Sequence, residues 1–376
     1  MKPILRFTNF DNDWEEIELL KIASEISYGM NAASKEYDGE NKYIRITDID
    51  EQTNKYTHKN IVSPDGDLEE KFLVKENDIL FARTGASTGK TYLYDKNDGK
   101  LYYAGFLIKA NIINHNANFI FQQTKLNKYN NWVKIMSMRS GQPGINSQEY
   151  GSYKFSITSP KEENKVSNFL SLLDKKIELQ SKKIEDLKLF TKKLETQYIF
   201  NSNDEYNKKR IDEIFNVKTG GDLNKSNISF IKTPLFCYPI YSNNLEMNGL
   251  YGYSDIYKIE EESITVTGRG DIGKAIKREG KYYPIVRLLV LIPKISVNLI
   301  YMQEAVNNLK LIQESTGVPQ LTAPQISKYK VSYPTLDIQN KYGDILLLLQ
   351  EKIRYEIRKI EKLHQQKKGL MQNMFV

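Results

Sequence analysis

The stretch Gly85-Ala86-Ser87-Thr88-Gly89-Lys90-Thr91 has the residue types of a phosphate cradle: glycines, a lysine and hydroxyls close together. Its spacing departs from that chemistry. A phosphate-binding P-loop needs about four residues between its glycines, and three stand between Gly85 and Gly89. A second segment, Gly270-Asp271-Ile272-Gly273-Lys274-Ala275, is shorter still and ends on alanine where a hydroxyl would hold Mg²⁺. Both segments read better as paired turns. ILFARTGASTGK (79–90) and ITVTGRGDIGK (264–274) each run as a strand, a glycine-bearing turn and a basic strand. Such a turn can present Arg83 and Lys90, or Arg269 and Lys274, to phosphates or base edges. Thr84 and Lys277 beside these turns, with Arg139 and Gln142 of a later loop, complete the candidate nucleic-acid-binding set. A plain tight turn with solvated charges would use the same residues.

Other reactive constellations are incomplete. Asp65 with Glu69, Glu70 and Lys71 hints at a metal-dependent nuclease, but the separation is very short and has no counterpart later in the chain. His58, His115 and His364 are scattered without ligand spacing. There is no G-x-S-x-G elbow and no Asn-Pro-Pro-Tyr-type motif of an amino-methyltransferase, and Cys237 has no histidine nearby. The expectation is a binding protein with no catalytic residue and no metal of its own. The formal net charge of +7 permits a polyanionic partner, and 25 tyrosines suit contact surfaces. A codon bias toward Lys, Asn, Ile and Tyr would also produce the tyrosines. One cysteine fits a reducing compartment. The start, MKPILRFTNF, lacks the apolar core of a secretory signal. No apolar run approaches the roughly 20 residues needed to span a bilayer. A cytoplasmic protein without membrane contact is expected.

The elements that must position these turns are repeated. Sliding the sequence by 176 positions lays 141–200 on 317–376 without a gap. Identities include Pro143/Pro319, Tyr153/Tyr329, Lys154/Lys330, Asn164/Asn340, Lys165/Lys341, Glu185/Glu361 and Leu194/Leu370. Both repeated tails predict helices. Leu173, Ile177, Ile184, Leu187, Leu194 and Tyr198 form a 3-4 stripe, matched by Leu349, Ile353, Ile360, Leu363, Leu370 and Met374. Polar residues interrupt both stripes at the same steps, Gln180/Glu356 and Thr191/Lys367. Pro160 and Pro334 stand just before the helix starts. Two helices of this kind most simply hide their stripes against each other as an antiparallel pair, roughly 50 Å long at 1.5 Å per residue. The alternative is that each packs only on its own domain.

The bodies preceding the tails predict mixed α/β structure. In the first, 14–26 reads as an amphipathic helix. KYIRITDI, KFLV, DILFAR, KTYLY and LYYAGFLIKANII follow as strands, and 120–138 as a helix. In the second, RIDEIFNV corresponds to ELLKIASEI and SITVTGRG to ILFARTG, with a strand over 284–295 and a helix over 300–312. The fold expected is α/β (α+β). Mixed bodies at 1–160 and 206–336 alternate with coiled-coil helices at 161–205 and 337–376.

DILFARTGASTGK (78–90) and SGQPGINSQEYGSYKFSITSPKEENKVSNFLSLLDKKIELQSKKIEDLK (140–188) carry a family resemblance. So does their echo GVPQLTAPQISKYKVSYPTLDIQNKYGDILLLLQEKIRYEIRKIEKLHQQKKGL (317–370). The chain resembles, over its whole length, the specificity (S) subunit of type I restriction–modification enzymes. It departs at Gln320-Leu321-Thr322, where the first half has Gly144-Ile145-Asn146, and at Leu336-Asp337, where the first half has Pro160-Lys161. The resemblance implies two target-recognition domains, each reading half of a split site on double-stranded DNA. It also implies a two-helix spacer that sets the gap between half-sites and docks two modification (methyltransferase) subunits, with restriction (motor-nuclease) subunits joining the assembly. S-adenosylmethionine, ATP and Mg²⁺ would bind those partners and not this chain. Two other readings remain: a scaffold that binds DNA without reading it, and a P-loop nucleotide-binding protein.

Overall fold

The structure, a computed structural model, describes residues 1–138, 142–197, 206–309, 311 and 319–376. The chain forms two compact units, Met1–Leu179 with Ile360–Val376, and Gln180–Lys359.

In the first unit, 14–26 is not one helix. A strand (Glu15–Glu18) and a single helical turn (Leu19–Ile22) lead into a second strand (Ala23–Tyr28). The helical period holds only for Leu19 and Ile22, which are buried. On either side, pairing with distant strands overrides local propensity. Glu15–Glu18 pairs antiparallel with Lys154–Ile157, and Ala23–Tyr28 with Leu107–Ile112. The main sheet runs Ala23–Tyr28, Leu107–Ile112, Asp78–Ala82, Thr91–Leu93, all neighbours antiparallel. Asp78–Ala82 is buried along its whole length. Phe81 faces a core with Trp14, Phe119, Tyr150 and Phe155, whereas Leu80 faces Ile44, Tyr92 and Tyr103.

Four further segments depart from the expected strands and helix. KFLV carries a 3-10 turn at Glu70–Phe72 instead of a strand, and KYIRITDI is a strand only over Lys42–Ile44 before a 3-10 turn at Ile46–Asp48. The run 101–113 is two strands, Leu101–Tyr103 and Leu107–Ile112, separated by a turn in which Leu107 N–H donates to Ala104 O at 2.8 Å. The helix over 120–138 is two helices, Ala117–Gln123 and Asn127–Met136. Thr124 lies at the break, its Oγ1 bonded to Phe121 O and to Thr91 Oγ1, both at 2.7 Å.

The second unit repeats the plan. Asn207–Arg210, Ile211–Ile214 and Phe215–Thr219 again run strand, helical turn, strand. The sheet order is Phe215–Thr219, Leu289–Pro293, Ser263–Val266, Ala275–Arg278. Both sequence correspondences between the bodies therefore hold. The run 284–295 is interrupted, with strands at Tyr283–Pro284 and Leu289–Pro293. The helix expected over 300–312 is Leu299–Asn307 and ends early: Asn308, Leu309 and Leu311 are not helical, and residues 310 and 312 lie outside the described residues.

Two long helices, Pro160–Glu195 and Leu336–Met374, pack together antiparallel. In the first unit Asp174 of the first helix pairs with Lys367 of the second. In the second unit Gln180 and Lys183 meet Glu356. Ile184, Leu363 and Met374 of the stripes are buried, and the other described stripe positions, from Leu173 to Leu194 and from Leu349 to Leu370, are half-buried. Tyr198 lies outside the described residues. Pro160 is the first helical residue, where its missing N–H costs nothing.

Shared contacts account for several repeat identities. Asn164 Oδ1 accepts from Asn116 Nδ2, and Asn340 Oδ1 from Asn298 Nδ2. Tyr153 O accepts from Leu19 N–H and Tyr329 O from Ile211 N–H, both at 2.9 Å. The departure at 320–322 preserves a cap. Asn146 starts Ser147–Ser152 with a capping box, and Thr322 starts Ala323–Ser327 with another.

Candidate nucleic-acid interface

The turn after Asp78–Ala82 spends its backbone donors internally. Gly85 N–H donates to Pro143 O, Thr88 N–H to Gly85 O, Gly89 N–H to Ala82 O and Lys90 N–H to Ser87 O. A phosphate cradle needs such donors free and a helix behind them, and a strand (Thr91–Leu93) follows here. Gly89 has φ +90°, and a Cβ there would lie 2.5 Å from Val133 Cγ1. The tightness serves packing of the turn against the helix Asn127–Met136.

The candidate side chains separate into two groups. Lys90 is only 12% exposed, and its ammonium donates to Ile49 O at 3.1 Å beside Glu51. Lys277 lies between Glu262 and Glu279, at 3.8 and 2.8 Å. Both are occupied cations. Arg83 instead lies over the ring of Tyr28, 4.8 Å from its centroid. Tyr28 is anchored in turn by Ser147 N–H, which donates to its Oη at 3.1 Å. Thr84 is bridged to Gly144. Gln142 is exposed and Arg139 lies outside the described residues. Arg83 and Tyr28 line a groove of about 610 Å³ with Met30, Arg45 and Phe106. Arg45 is held by Asp48 through two bonds of 2.8 and 2.9 Å.

In the second unit Arg269 Nη2 and Arg287 Nη1 both donate to Gln320 Oε1, at 3.3 and 3.4 Å. Lys274, on the same turn as Arg269, is exposed. Ile145 N–H donates to Arg83 O and Leu321 N–H to Gly268 O, each at 2.9 Å. Ile145 and Leu321 are repeat equivalents, so Arg83 aligns with Gly268 and Arg269 with Thr84. The two turns thus carry their arginines one residue apart. Val286 and Arg287 have φ of +51° and +57°. For a β-branched residue this is strained backbone, costing on the order of 1–3 kcal/mol, and such strain concentrates at functional sites.

Tyr28, Phe106 and Arg287 were not among the residues singled out by sequence. Their signal was an apolar or basic residue at a strand end, which reads equally as strand interior. The acidic set at 65–71 is a solvated surface: Asp65 pairs with Lys35, Glu69 with Lys71 and Glu70 with Lys75. His58 and His115 pair with Asp98 and Glu163. Among the described residues no group of His, Cys, Asp and Glu is placed to hold a metal, and no helix is long and apolar enough to cross a membrane.

The model of the type I restriction modification DNA specificity domain matches residues 12–189 and 203–365. The chain belongs to this family. Each half of the chain therefore holds one specificity domain. A Mycoplasma pneumoniae protein carrying the name of a type I specificity subunit, S.MpnORF507P, is 31% identical over 207 residues, 50% of this chain and 57% of that one. Another from that organism, S.MpnORF89P, is 32% identical over 130 residues, 35% and 38% of the two chains. The matched regions thus span less than two thirds of these relatives. Among solved structures, the S subunit of a type I restriction-modification system from M. genitalium has the same fold, with a TM-score of 0.70 at 17% identity over 100% of this chain and 99% of that one. A chain from a structure concerning complex assembly and conformational transition of the type I R-M system matches with a TM-score of 0.56 at 14% identity, covering 96% and 97%. The two specificity domains present their candidate interfaces on the same strand-end turns, with different side chains.

Proposed function

We propose that the chain reads a bipartite site on double-stranded DNA, one half per specificity domain, and docks modification and restriction subunits. One observation carries this reading. The same backbone turns hold an arginine stacked on tyrosine in one domain and two arginines on one carboxamide in the other. A common frame with different side chains suits two different base sequences, because phosphate contacts position a protein and base-edge contacts specify. The net charge of +7 supports a polyanionic partner.

Partner docking is supported by the long helices. Leu172 and Leu348 are repeat equivalents, 67% and 65% exposed, and Leu179 and Tyr355 are another such pair, 59% and 55% exposed. Spaced seven residues apart, they give each helix an outward apolar strip besides its inward stripe. Two like strips suit two copies of one partner type. The chain itself is non-catalytic in this reading. S-adenosylmethionine, ATP and Mg²⁺ belong to the partner subunits, and the assembly works in the cytoplasm.

The test is to express the chain with its modification subunit and map the methylated sequences. A split motif is expected. Replacing residues 1–160 with those of a relative should change one half of the motif and leave the other. If both halves change together, or methylation follows no motif, the two-reader model is wrong. Salt-sensitive binding without sequence preference would favour the scaffold reading instead.

A further inference from the structure

One pair of turns holds equivalent positions in the two specificity domains. Leu107 N–H donates to Ala104 O at 2.8 Å, and Leu288 N–H to Ile285 O at 3.1 Å. Ala104 is bridged in parallel to Met30, and Ile285 to Gly221. Gly29 N–H donates to Leu107 O and Gly220 N–H to Leu288 O. These bonds align Gly105 with Val286 and Phe106 with Arg287. Both turns abut the strand-end turns already described. Arg83 N–H donates to Phe106 O at 3.0 Å, and a Cβ on Gly268 would lie 3.2 Å from Arg287 O.

The chemistry at the aligned position is opposite in kind. Phe106 is 62% exposed, a phenyl ring at the edge of a groove and out of the core. Arg287 is also exposed, on two consecutive left-handed residues. That turn geometry normally selects Gly, Asn or Asp, so Val286 and Arg287 stand there against local preference. Among the described residues the Gln320 carboxamide is the side-chain acceptor for Arg287, and it is shared with Arg269. A guanidinium has five N–H donors in a fixed fork, and one shared oxygen leaves most of them available.

We infer that this shared position selects a base in each half-site: Arg287 takes a guanine and Phe106 a thymine. The inference rests on the reading of the chain as a bipartite DNA reader. An arginine fork matches guanine O6 and N7 in the major groove, and an apolar ring, with no donor or acceptor to offer, finds its apolar match there in the thymine C5-methyl. Gln320 holds the Arg287 fork without neutralising it, unlike Lys277 between its two glutamates.

The test selects sequences bound by the full chain from a pool of randomised DNA duplexes at one salt concentration. The parent should enrich a split motif. Arg287→Ala should cut the preference for guanine at one position of one half by roughly tenfold and leave the other half as in the parent. Phe106→Ala should flatten a thymine preference in that other half alone. The unaffected half reports that each variant is folded. Arg287→Lys should keep affinity but discriminate guanine less sharply, because a flexible ammonium lacks the planar fork that fixes the bidentate pair. Phe106→Leu should keep the thymine. A parent motif that persists unchanged in both alanine variants, or an Arg287→Ala that weakens all sequences alike, overturns the inference and leaves bipartite reading intact. A parent that enriches no motif removes bipartite reading itself, and this inference with it.

Discussion

Gln180 and Glu356, 176 residues apart and the same position of the internal repeat, are hydrogen-bonded to each other: Gln180 Nε2 donates to Glu356 Oε2 at 2.5 Å. Each interrupts the apolar stripe of its helix, and both are buried, Glu356 to 1% exposure. Lys183 and Lys352 reach the other carboxylate oxygen at 2.6 and 3.2 Å. A polar pair inside a coiled-coil seam is satisfied in one register only, so it selects alignment at some cost in stability.

Gln180→Leu should therefore lower the melting temperature, because an apolar side chain then faces a buried carboxylate. The double variant Gln180→Leu/Glu356→Leu should melt at or above the parent, since an apolar seam needs no compensation. Thermal unfolding followed by circular dichroism measures both. A double variant less stable than Gln180→Leu alone would remove the register role.

The same pair predicts an acid dependence. Lys183, then Gln180, hold the Glu356 carboxyl down at about 2, below its usual 4.5. The folded-state value is depressed, so the stabilisation is complete above 4.5 and is lost as pH falls toward 2. The difference in melting temperature between parent and Glu356→Gln should be constant near neutrality and shrink below pH 4.5. A difference that stays flat down to pH 2 contradicts the assignment.

Two glycines of the strand-end turns should respond differently. Gly89→Ala meets both φ +90° and Val133 Cγ1 at 2.5 Å. It should cost on the order of 1–3 kcal/mol or more. Gly270→Ala has φ +67° but nothing within 4 Å of the added carbon, and should cost about 1 kcal/mol. Denaturant unfolding of the two variants ranks them. Equal losses would mean that packing on Val133 contributes nothing.

DNA binding should separate the occupied cations from the presented ones. Arg269→Ala should weaken binding and, where the contact is to phosphate, lower the salt slope by about 0.9. Lys277→Ala should leave the slope near the parent value, because its charge is already matched by Glu262 and Glu279. Titrations across a salt series decide this, and a larger slope change for Lys277 than for Arg269 would reverse the ranking.

The outward strips on the long helices predict a partner phenotype without a folding phenotype. Leu172→Asp combined with Leu348→Asp should abolish co-purification of the modification subunit while the melting temperature stays within a few degrees, since both side chains are already exposed. Retained co-purification would place docking elsewhere.

The sequence by itself determined the repeat, both long helices, their inward apolar stripes and the polar steps at Gln180 and Glu356. A helix that buries one face needs apolar residues at fixed local spacing, so this information is written in order along the chain. The strand-and-turn segments around Arg83 and Arg269 were legible for the same reason. Tertiary structure decided what local spacing cannot carry. LYYAGFLIKANII is apolar almost throughout, yet Leu101–Tyr103 pairs with Lys42–Ile44 and Leu107–Ile112 with Ala23–Tyr28. The change of partner makes the turn that exposes Phe106. The basic residues of the turns read alike in sequence. Lys90 is spent on Ile49 and Glu51, whereas Arg269 shares the neutral oxygen of Gln320 with Arg287. Whether a charge is available to a ligand depends on which distant group reaches it first, and only the folded chain settles that.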